Sequence, residues 1–204
     1  MTIVTVSASY GAGGAIVGPQ LAERLDVPFL DRAIPTGVAQ RLAIPLEEAS
    51  ARDQSIGGLL SRVALRLAPM GMAFGAEPAE AIDEDSYCRA TEEIIRERAA
   101  LGDAVILGRA AALVLKDDPR ALHIRLDGPR ERRIEQAIRL GEGESSEVER
   151  RLHETDRARE AYVRHFYHAD ARSPEHYHLL IDSTAVPLET VVEMIALAAG
   201  PRTR

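Results

Sequence analysis

The chain has 204 residues, of which 46% are hydrophobic, 28% charged and 4% aromatic. This size and composition are typical of one globular domain, and the shortage of aromatic residues predicts a core of Leu, Ile, Val and Ala. The formal net charge of -7 disfavours a general affinity for nucleic acid or for an anionic membrane.

The cysteine content and the start of the chain bear on the compartment. Cys88 has no second cysteine with which to form an internal disulfide, as suits a reducing environment. The first residues lack a basic segment followed by an apolar one, and no apolar run reaches the roughly 18 residues of a membrane span. We therefore expect a cytoplasmic protein.

The chain begins with a predicted strand, a glycine-rich loop and a helix. The strand is predicted from the β-branched residues of 3–6, and the helix carries Leu21 and Leu25 on its apolar face. The loop between them contains Gly11, Ala12, Gly13, Gly14 and Ala15. This order of elements directs backbone N–H groups at a bound anion. A turn that only joins a strand to a helix has the same composition, and this stretch alone favours neither interpretation.

The loop departs from the phosphate-binding pattern Gly-x-x-x-x-Gly-Lys-Ser/Thr at both ends. Ala8 stands where the pattern opens with glycine, and Gly14 and Ala15 stand where it has the lysine and the hydroxyl residue. The lysine that neutralises phosphates and the hydroxyl that holds Mg²⁺ are therefore both missing. Because Pro19 would clash one turn back in a helix that starts at Gly14, we expect the helix to start late, near Gly18, or to kink.

A second short strand is predicted at Phe29 and Leu30, and it ends in a charged pair. Asp31 and Arg32 follow it directly. Ligands of open α/β sheets bind at the carboxyl ends of the strands, so both residues are candidates to contact a substrate near the glycine loop. A helix cap followed by a solvated base is the alternative interpretation.

The region from 36 to 85 is predicted to be a helical insertion. Within it, residues 69–78 mix methionine and phenylalanine with glycine and proline, which indicates irregular backbone. This segment either closes over a ligand or packs locally. A long helix is predicted to follow, from Ser86 to Leu101.

Three further strands are predicted in the second half of the chain. Ala104–Leu107 is fully apolar, as is typical of a central parallel strand, and Arg109 follows it. A guanidinium at this position suits phosphate binding, although it can instead pair with a carboxylate. Ala121–Asp127 is less apolar and is predicted to lie away from the centre. His178–Asp182 is the last predicted strand.

Two arginine-rich helices are predicted between residues 130 and 167. Some of their arginines are spaced for i,i+4 ion pairs, as in Glu147–Arg151 and Arg150–Glu154, and for most of the others a solvated helical hairpin is also the expected setting. Arg157 and Arg159, which follow Asp156, are the two for which we expect a functional role. The six histidines lack nearby cysteine or carboxylate partners at metal-ligand spacing, so no metal site is expected among them.

The order of these pieces resembles the cytidylate kinase-like branch of the phosphate-loop nucleoside monophosphate kinases. The similar segments are 7–14, 28–32, 105–109, 123–127 with 130–133, 156–159 and 179–184. The resemblance implies a three-layer phosphate-loop NTPase-type α/β fold with a five-stranded parallel sheet. It also implies one domain over 1–204, with a helical acceptor-binding insertion over 36–85 and an arginine-rich helical lid over 130–165. The expected strands are 3–6, 29–30, 105–107, 123–126 and 179–181, with 105–107 central or next to 3–6.

The resemblance also implies a reaction, the transfer of the ATP γ-phosphoryl group to a nucleoside monophosphate such as CMP or dCMP. ATP and Mg²⁺ are the implied cofactors, a small-molecule nucleotide is the implied partner, and the protein would be a monomer or homodimer. Gly11–Ala15 would hold the donor phosphates, and Arg157 and Arg159 would close over the transferred group. The acceptor would be bound by Asp31, Arg32, Arg109 and Asp156.

The missing loop cation leaves a second function open. In that alternative the protein is catalytically impaired and binds a nucleotide or phosphate as a sensor or scaffold. Kinases of the main cytidylate group have lysine at the position of Gly14, and the branch that this chain resembles often has arginine at that of Ala15. If the loop geometry is intact, Gly14→Lys is expected to raise the rate or the ATP affinity.

Overall fold

A computed structural model describes residues 3–31 and 84–200, which are organised around one parallel sheet. Its strands are β1 Ile3–Ala8, β2 Phe29–Leu30, β3 Ala104–Leu107, β4 Ala121–Asp127 and β5 Leu179–Asp182. Their spatial order is β2-β3-β1-β4-β5, and every pairing is parallel. The predicted five-stranded parallel sheet is confirmed, and β3 lies beside β1 as expected.

β1 occupies the centre of the sheet because it is apolar on both faces. Ile3, Val4 and Val6 are at most 1% exposed. β1 pairs with β3 over residues 3–6 and with β4 over residues 3–8. Since helices cover both faces of a parallel sheet, a central strand of this kind is a nearly continuous apolar run.

β4 lies next to the central strand, nearer to the centre than its composition predicts. All of Ala121–Leu126 is buried. The polar residues of β4 have partners inside the fold: His123 Nδ1 lies 2.8 Å from Thr5 Oγ1, and Arg125 donates to Ser9 Oγ. Because buried polar groups are tolerated when they are hydrogen-bonded, polarity alone is a poor guide to the position of this strand.

Helices cover both faces of the sheet. The described helices are α1 Gly14–Leu25, α2 Glu84–Leu101, α3 Ala111–Val114, α4 Arg130–Arg139, α5 Ser145–Tyr167 and α6 Leu188–Ala198. α1 and α6 pack on one face in a core with Val4 and Val6, while α2 and α3 pack on the other face with Ile3 and Ile106. α4 and α5 form a hairpin with a small core of its own. The helices within 3–31 and 84–200 include none that is long and apolar enough to cross a membrane.

The predicted insertion over 36–85 lies outside the described residues, except for its last two positions, where α2 begins. Arg32 lies outside them as well.

α1 begins at Gly14 and contains Pro19, so the expectation of a late start near Gly18 is wrong. The preceding residue, Gly13, has a φ of 76°, a left-handed conformation that turns the chain directly into the helix. Pro19 lacks the N–H that would bond to Ala15 in the turn before it. Both residues are exposed, so water can replace that bond while the buried face of α1 holds the helix on the sheet.

We expect Pro19→Ala to raise the free energy of unfolding by about 1–3 kcal/mol, because alanine restores the N–H donor and removes the ring from the helix interior. Urea denaturation measures this change. Gln20→Ala, an exposed neighbour in the same helix, is the control and should change stability by no more than about 0.5 kcal/mol. A less stable Pro19→Ala protein would show that α1 needs the proline geometry to pack.

Candidate active site

The carboxyl edge of the sheet brings most of the predicted site residues into one region. Gly11–Ala15 follows β1, Asp31 follows β2, and Arg109 follows β3. α5 crosses the same edge, since the Arg159 guanidinium binds the last residue of β1. Ligands of open α/β sheets bind outside this edge.

The glycine loop is held in a conformation that requires glycine. Gly11 and Gly13 have φ values of 77° and 76°, in the left-handed region. Both also pack too closely for a side chain: a Cβ on Gly11 would lie 2.3 Å from the Arg133 carbonyl oxygen, and one on Gly13 would lie 2.8 Å from Leu188. The loop is therefore pressed onto α4 and α6.

Side chains from α4, from α5 and from the turn after β5 bind the carbonyl oxygens of the loop and of the residues before it. The bonds are Arg159 Nη1 to Ala8 O (2.7 Å), Arg133 Nη1 to Tyr10 O (2.8 Å), Gln136 Nε2 to Gly11 O (3.0 Å) and Ser183 Oγ to Ala12 O (2.8 Å). In a trans peptide the N–H of one residue points opposite to the C=O of the residue before it. The bonds to Tyr10 O and Ala12 O therefore direct the N–H groups of Gly11 and Gly13 away from Arg133 and Ser183.

The start of α1 adds further backbone donors to this loop. Gly14 and Ala15 belong to the first turn, where N–H groups have no partner within the helix. A glycine loop leading into a helix start is the arrangement that binds phosphates in many proteins. That the N–H groups of Gly13, Gly14 and Ala15 converge on one anion stays a prediction.

A buried ion pair ties the loop to the α4–α5 hairpin. Arg133 Nη1 lies 2.6 Å from Asp156 Oδ2, and the two side chains are 7% and 11% exposed. The other oxygen, Asp156 Oδ1, accepts the Tyr10 N–H at 2.8 Å, and Tyr10 packs against the apolar core of the hairpin. The N–H of Tyr10 is thus bound by Asp156 and its carbonyl oxygen by Arg133, which fixes the peptide groups on both sides of this residue. Asp156 was expected at the acceptor, whereas both of its oxygens are engaged here in supporting the loop.

Arg125 joins the site although the sequence analysis did not select it. Its Nη2 donates to Ser9 Oγ and to Asp127 Oδ2, both at 2.9 Å, and its Nη1 donates to Ala171 O at 3.1 Å. Burial raises the pKa of Asp127, but the Gly128 N–H and the charge of Arg125 outweigh burial, so the pKa lies below its usual value. The sequence signal that could have identified Arg125 is an arginine close to the carboxyl end of a predicted strand.

Arg109 and Asp31 are paired with each other. Arg109 Nη1 lies 2.7 Å from Asp31 Oδ1 and 3.0 Å from the Leu107 carbonyl oxygen. The φ values of Gly108, Arg109 and Ala110 are 72°, 54° and 53°, and the left-handed conformation costs a non-glycine residue about 1–2 kcal/mol. Backbone strain of this kind clusters at functional sites. The ion pair also agrees with the alternative interpretation, in which Arg109 pairs with a carboxylate.

The two arginines expected on the lid differ in position. Burial lowers the pKa of Arg159; Asp156 opposes that effect, while repulsion from Arg125 and Arg109 adds to it. Three guanidinium groups therefore share the region beside the loop. Arg157 is exposed, and the structure does not bring it to the loop.

The described residues offer no ready metal centre. Within 3–31 and 84–200, no group of three or more His, Cys, Asp or Glu side chains is arranged to hold a metal ion. Ala15 lacks the hydroxyl that a phosphate loop uses for Mg²⁺. The loop therefore supplies no side-chain hydroxyl to a magnesium ion, and phosphate binding by its backbone stays a prediction.

Fold and site together define the class as a phosphate-loop kinase fold. A shikimate kinase from Bacteroides thetaiotaomicron is similar, with a TM-score of 0.52, 13% identity and coverage of 97% of both chains. A sugar kinase from Janibacter sp. HTCC2649 has a TM-score of 0.53 and 17% identity, covering 98% of this chain and 96% of the other. An uncharacterized protein from Eubacterium ventriosum ATCC 27560 has a TM-score of 0.68 and 17% identity, covering 99% of this chain and 100% of that one. At such identities these likenesses establish the fold.

The chain belongs to the cytidylate kinase-like family, whose sequence model matches residues 3–185. The resemblance stated from the sequence is thereby confirmed. No curated protein matches the chain. Membership of a kinase-like family supports a phosphotransferase, and nucleotide binding at a phosphate loop fits that family.

Proposed function

We propose that the protein transfers the γ-phosphoryl group of ATP to a nucleoside monophosphate, CMP or dCMP or a close analogue. One observation supports this function above others: the carbonyl groups of the glycine loop are fixed, and Arg159 and Arg125 bind Ala8 and Ser9 just before it, with Arg109 near enough to repel Arg159. Phosphoryl transfer depends on positioning and on neutralising negative charge. Fixed backbone donors beside several cations suit both needs.

The proposed roles follow the positions of the described residues around the loop, and Arg32 takes the role that the family resemblance implies. The donor phosphates would lie against Gly11–Ala15. The acceptor phosphate would bind Arg109, with Asp31 and Arg32 beside it. Arg159 would contact the transferred group and the donor phosphates from which it leaves, and Arg157 would join it only by turning inward from its exposed position. Asp156 would act indirectly, by holding Tyr10 and Arg133.

Some larger features belong to the same proposal. The insertion over 36–85 would bind the acceptor base, residues 130–165 would form the lid, and the chain would work as one cytoplasmic domain, as a monomer or homodimer. Mg²⁺ would arrive with the nucleotide as part of the substrate, where it neutralises phosphate charge. The residues described around the loop bind, orient and screen the phosphates.

A non-catalytic nucleotide- or phosphate-binding protein is the second candidate function. Gly14 and Ala15 supply no charge to the donor phosphates. Arg109 and Arg133 are, in addition, already paired with carboxylates. A sensor or scaffold needs only the loop and its cations.

A coupled assay of ADP release with each common nucleoside monophosphate separates the two functions when it is run beside calorimetric titration with ATP and with CMP. The proposed kinase should turn over at least one acceptor. Binding without turnover would favour the sensor or scaffold. If neither nucleotide binds, both functions are wrong.

We expect Arg109→Ala to raise the KM for the acceptor about 10- to 100-fold with little change in kcat, because a charged contact to the bound phosphate is lost in the ground state and in the transition state alike. Steady-state kinetics with the best acceptor measures both constants. Arg96→Ala removes an exposed arginine whose partner is Glu92, and it should leave both constants unchanged. An unaltered KM in the Arg109→Ala enzyme would exclude Arg109 from the acceptor site.

A further inference from the structure

Ala8 and Gly14 face each other across the glycine loop. Ala8 is the last residue of β1 and Gly14 is the first of α1. A Cβ added to Gly14 would lie 2.6 Å from the Ala8 Cβ, whereas carbon atoms in favourable contact are about 3.5–4.0 Å apart. The alanine methyl group is attached to the backbone and has no rotamer that would move it aside. A side chain at position 14 is therefore excluded while position 8 is alanine.

Two of the three departures from the phosphate-loop pattern, Ala8 and Gly14, are therefore coupled. The pattern has glycine at the position of Ala8 and lysine at that of Gly14. Here the methyl group of residue 8 fills the space that the first carbon of a lysine at residue 14 would need. Gly14→Lys alone would therefore have to move Ala8 or the loop, which the expectation from the sequence did not take into account.

Arg159 places a positive charge beside Ala8, one of these two residues. Its Nη1 donates to the Ala8 carbonyl oxygen at 2.7 Å, which uses one of the five N–H donors of the guanidinium. The three neighbouring arginines each have a carboxylate partner: Arg109 with Asp31, Arg125 with Asp127 and Arg133 with Asp156. Among the ion pairs within 3–31 and 84–200, none includes Arg159.

The surroundings of Arg159 favour a bound anion. The side chain is largely buried, and Arg125 and Arg109 are close enough to repel its charge. Asp156 and Glu142 attract it, but neither forms an ion pair with it, and both carboxylate oxygens of Asp156 are engaged by Tyr10 and Arg133. A phosphate group on the adjacent loop would supply a directly bound negative charge.

We propose that Ala8 and Gly14 are a matched pair that keeps lysine out of the loop, and that Arg159 supplies from α5 the charge that lysine would give to the donor phosphates. The role of Arg159 rests on the proposed function, whereas the matched pair rests on loop geometry alone. The ligand class is the diphosphate or triphosphate of a nucleotide. Asp156 and Arg133 hold the hairpin against the loop, so the position of α5 determines whether the Arg159 guanidinium lies beside the donor phosphates.

A rescue experiment tests both parts. The variants are Gly14→Lys, Ala8→Gly, the double variant Ala8→Gly/Gly14→Lys, Arg159→Met, and the triple variant that combines all three substitutions. Thermal melting measures the fit of the loop, and calorimetric titration with ADP measures phosphate binding. If Arg159→Met is unstable, Arg159→Lys serves as a second variant, since it keeps the charge and changes only the donor geometry. Arg164→Met, on the exposed side of α5, is the matched control.

Gly14→Lys should melt well below the parent, and the double variant should recover most of that loss. Arg159→Met should weaken ADP binding about tenfold or more, as expected for the loss of a charged hydrogen bond. The triple variant should regain ADP affinity to within about threefold of the double variant, because its lysine replaces the lost charge. Arg164→Met should bind ADP like the parent.

Each part has an outcome that overturns it. A Gly14→Lys protein that melts like the parent would refute the matched pair. A triple variant that melts like the double variant but binds ADP as weakly as Arg159→Met would refute the role of Arg159. If the parent itself does not bind ADP, the proposed function and the role of Arg159 are both wrong, and the melting temperatures still decide the matched pair.

Discussion

Replacing Asp156 with alanine is expected to lower the free energy of unfolding by about 3–5 kcal/mol, because it leaves the buried guanidinium of Arg133 without its carboxylate. The pair is well formed, with 2.6 Å between Arg133 Nη1 and Asp156 Oδ2. The substitution also removes the acceptor of the Tyr10 N–H. Urea denaturation gives the stability change, and titration with ADP should show weakened binding, because the loop loses one of its anchors.

The control for this prediction is Glu154→Ala in the same helix. Glu154 pairs with Arg150 on the surface, where both side chains are more than half exposed, at 53% and 58%. Exposed pairs of this kind contribute about 0.3–0.5 kcal/mol. The double variant Arg133→Met/Asp156→Leu should be more stable than Asp156→Ala, since it leaves no unpaired charge. If Asp156→Ala is no less stable than Glu154→Ala, the ion pair does not anchor the loop.

Gly11→Ala is the second substitution with a large expected effect, a loss of about 2–5 kcal/mol in the free energy of unfolding. The left-handed backbone accounts for about 1–2 kcal/mol of this loss. The rest comes from the new methyl group, which would lie 2.3 Å from the Arg133 carbonyl oxygen and would force the loop off α4. Because the loop would then leave its anchors, nucleotide binding should be lost as well.

Gly141→Ala separates the two contributions. Gly141 has a φ of 79°, close to the 77° of Gly11, but a Cβ there would meet no atom within 4 Å. Its substitution should therefore cost only the conformational part, about 1–2 kcal/mol. Equal losses in the two variants, measured by urea denaturation, would show that the loop moves away from α4 without penalty.

These contacts make the α4–α5 hairpin part of the loop's support. Arg133, Gln136 and Asp156 hold the loop from one side, and Ser183 after β5 holds it from another. A change in the position of the hairpin would therefore move the donors of the loop. Under the proposed function, donor binding and hairpin position are coupled through these bonds.

The sequence by itself determined the parallel sheet and the place of the candidate site. Apolar runs such as 3–6 and 104–107 are local signals of buried strands, and their alternation with helical segments leads to a parallel sheet. The carboxyl ends of parallel strands share one edge, so the glycine loop, Asp31 and Arg109 were expected to come together. The family followed from the same segments in the same order.

The tertiary structure decided the features that depend on contacts between distant residues. Three features arise from partners that no local pattern specifies. They are the inner position of β4, the start of α1 at Gly14 despite Pro19, and the hydrogen bond from the Tyr10 N–H to Asp156. The coupling of Ala8 and Gly14 is of the same kind, because two positions separated by the loop become neighbours only when the loop closes. A sequence motif records that the loop lysine is absent, whereas packing shows that Ala8 occupies the space its first carbon would need.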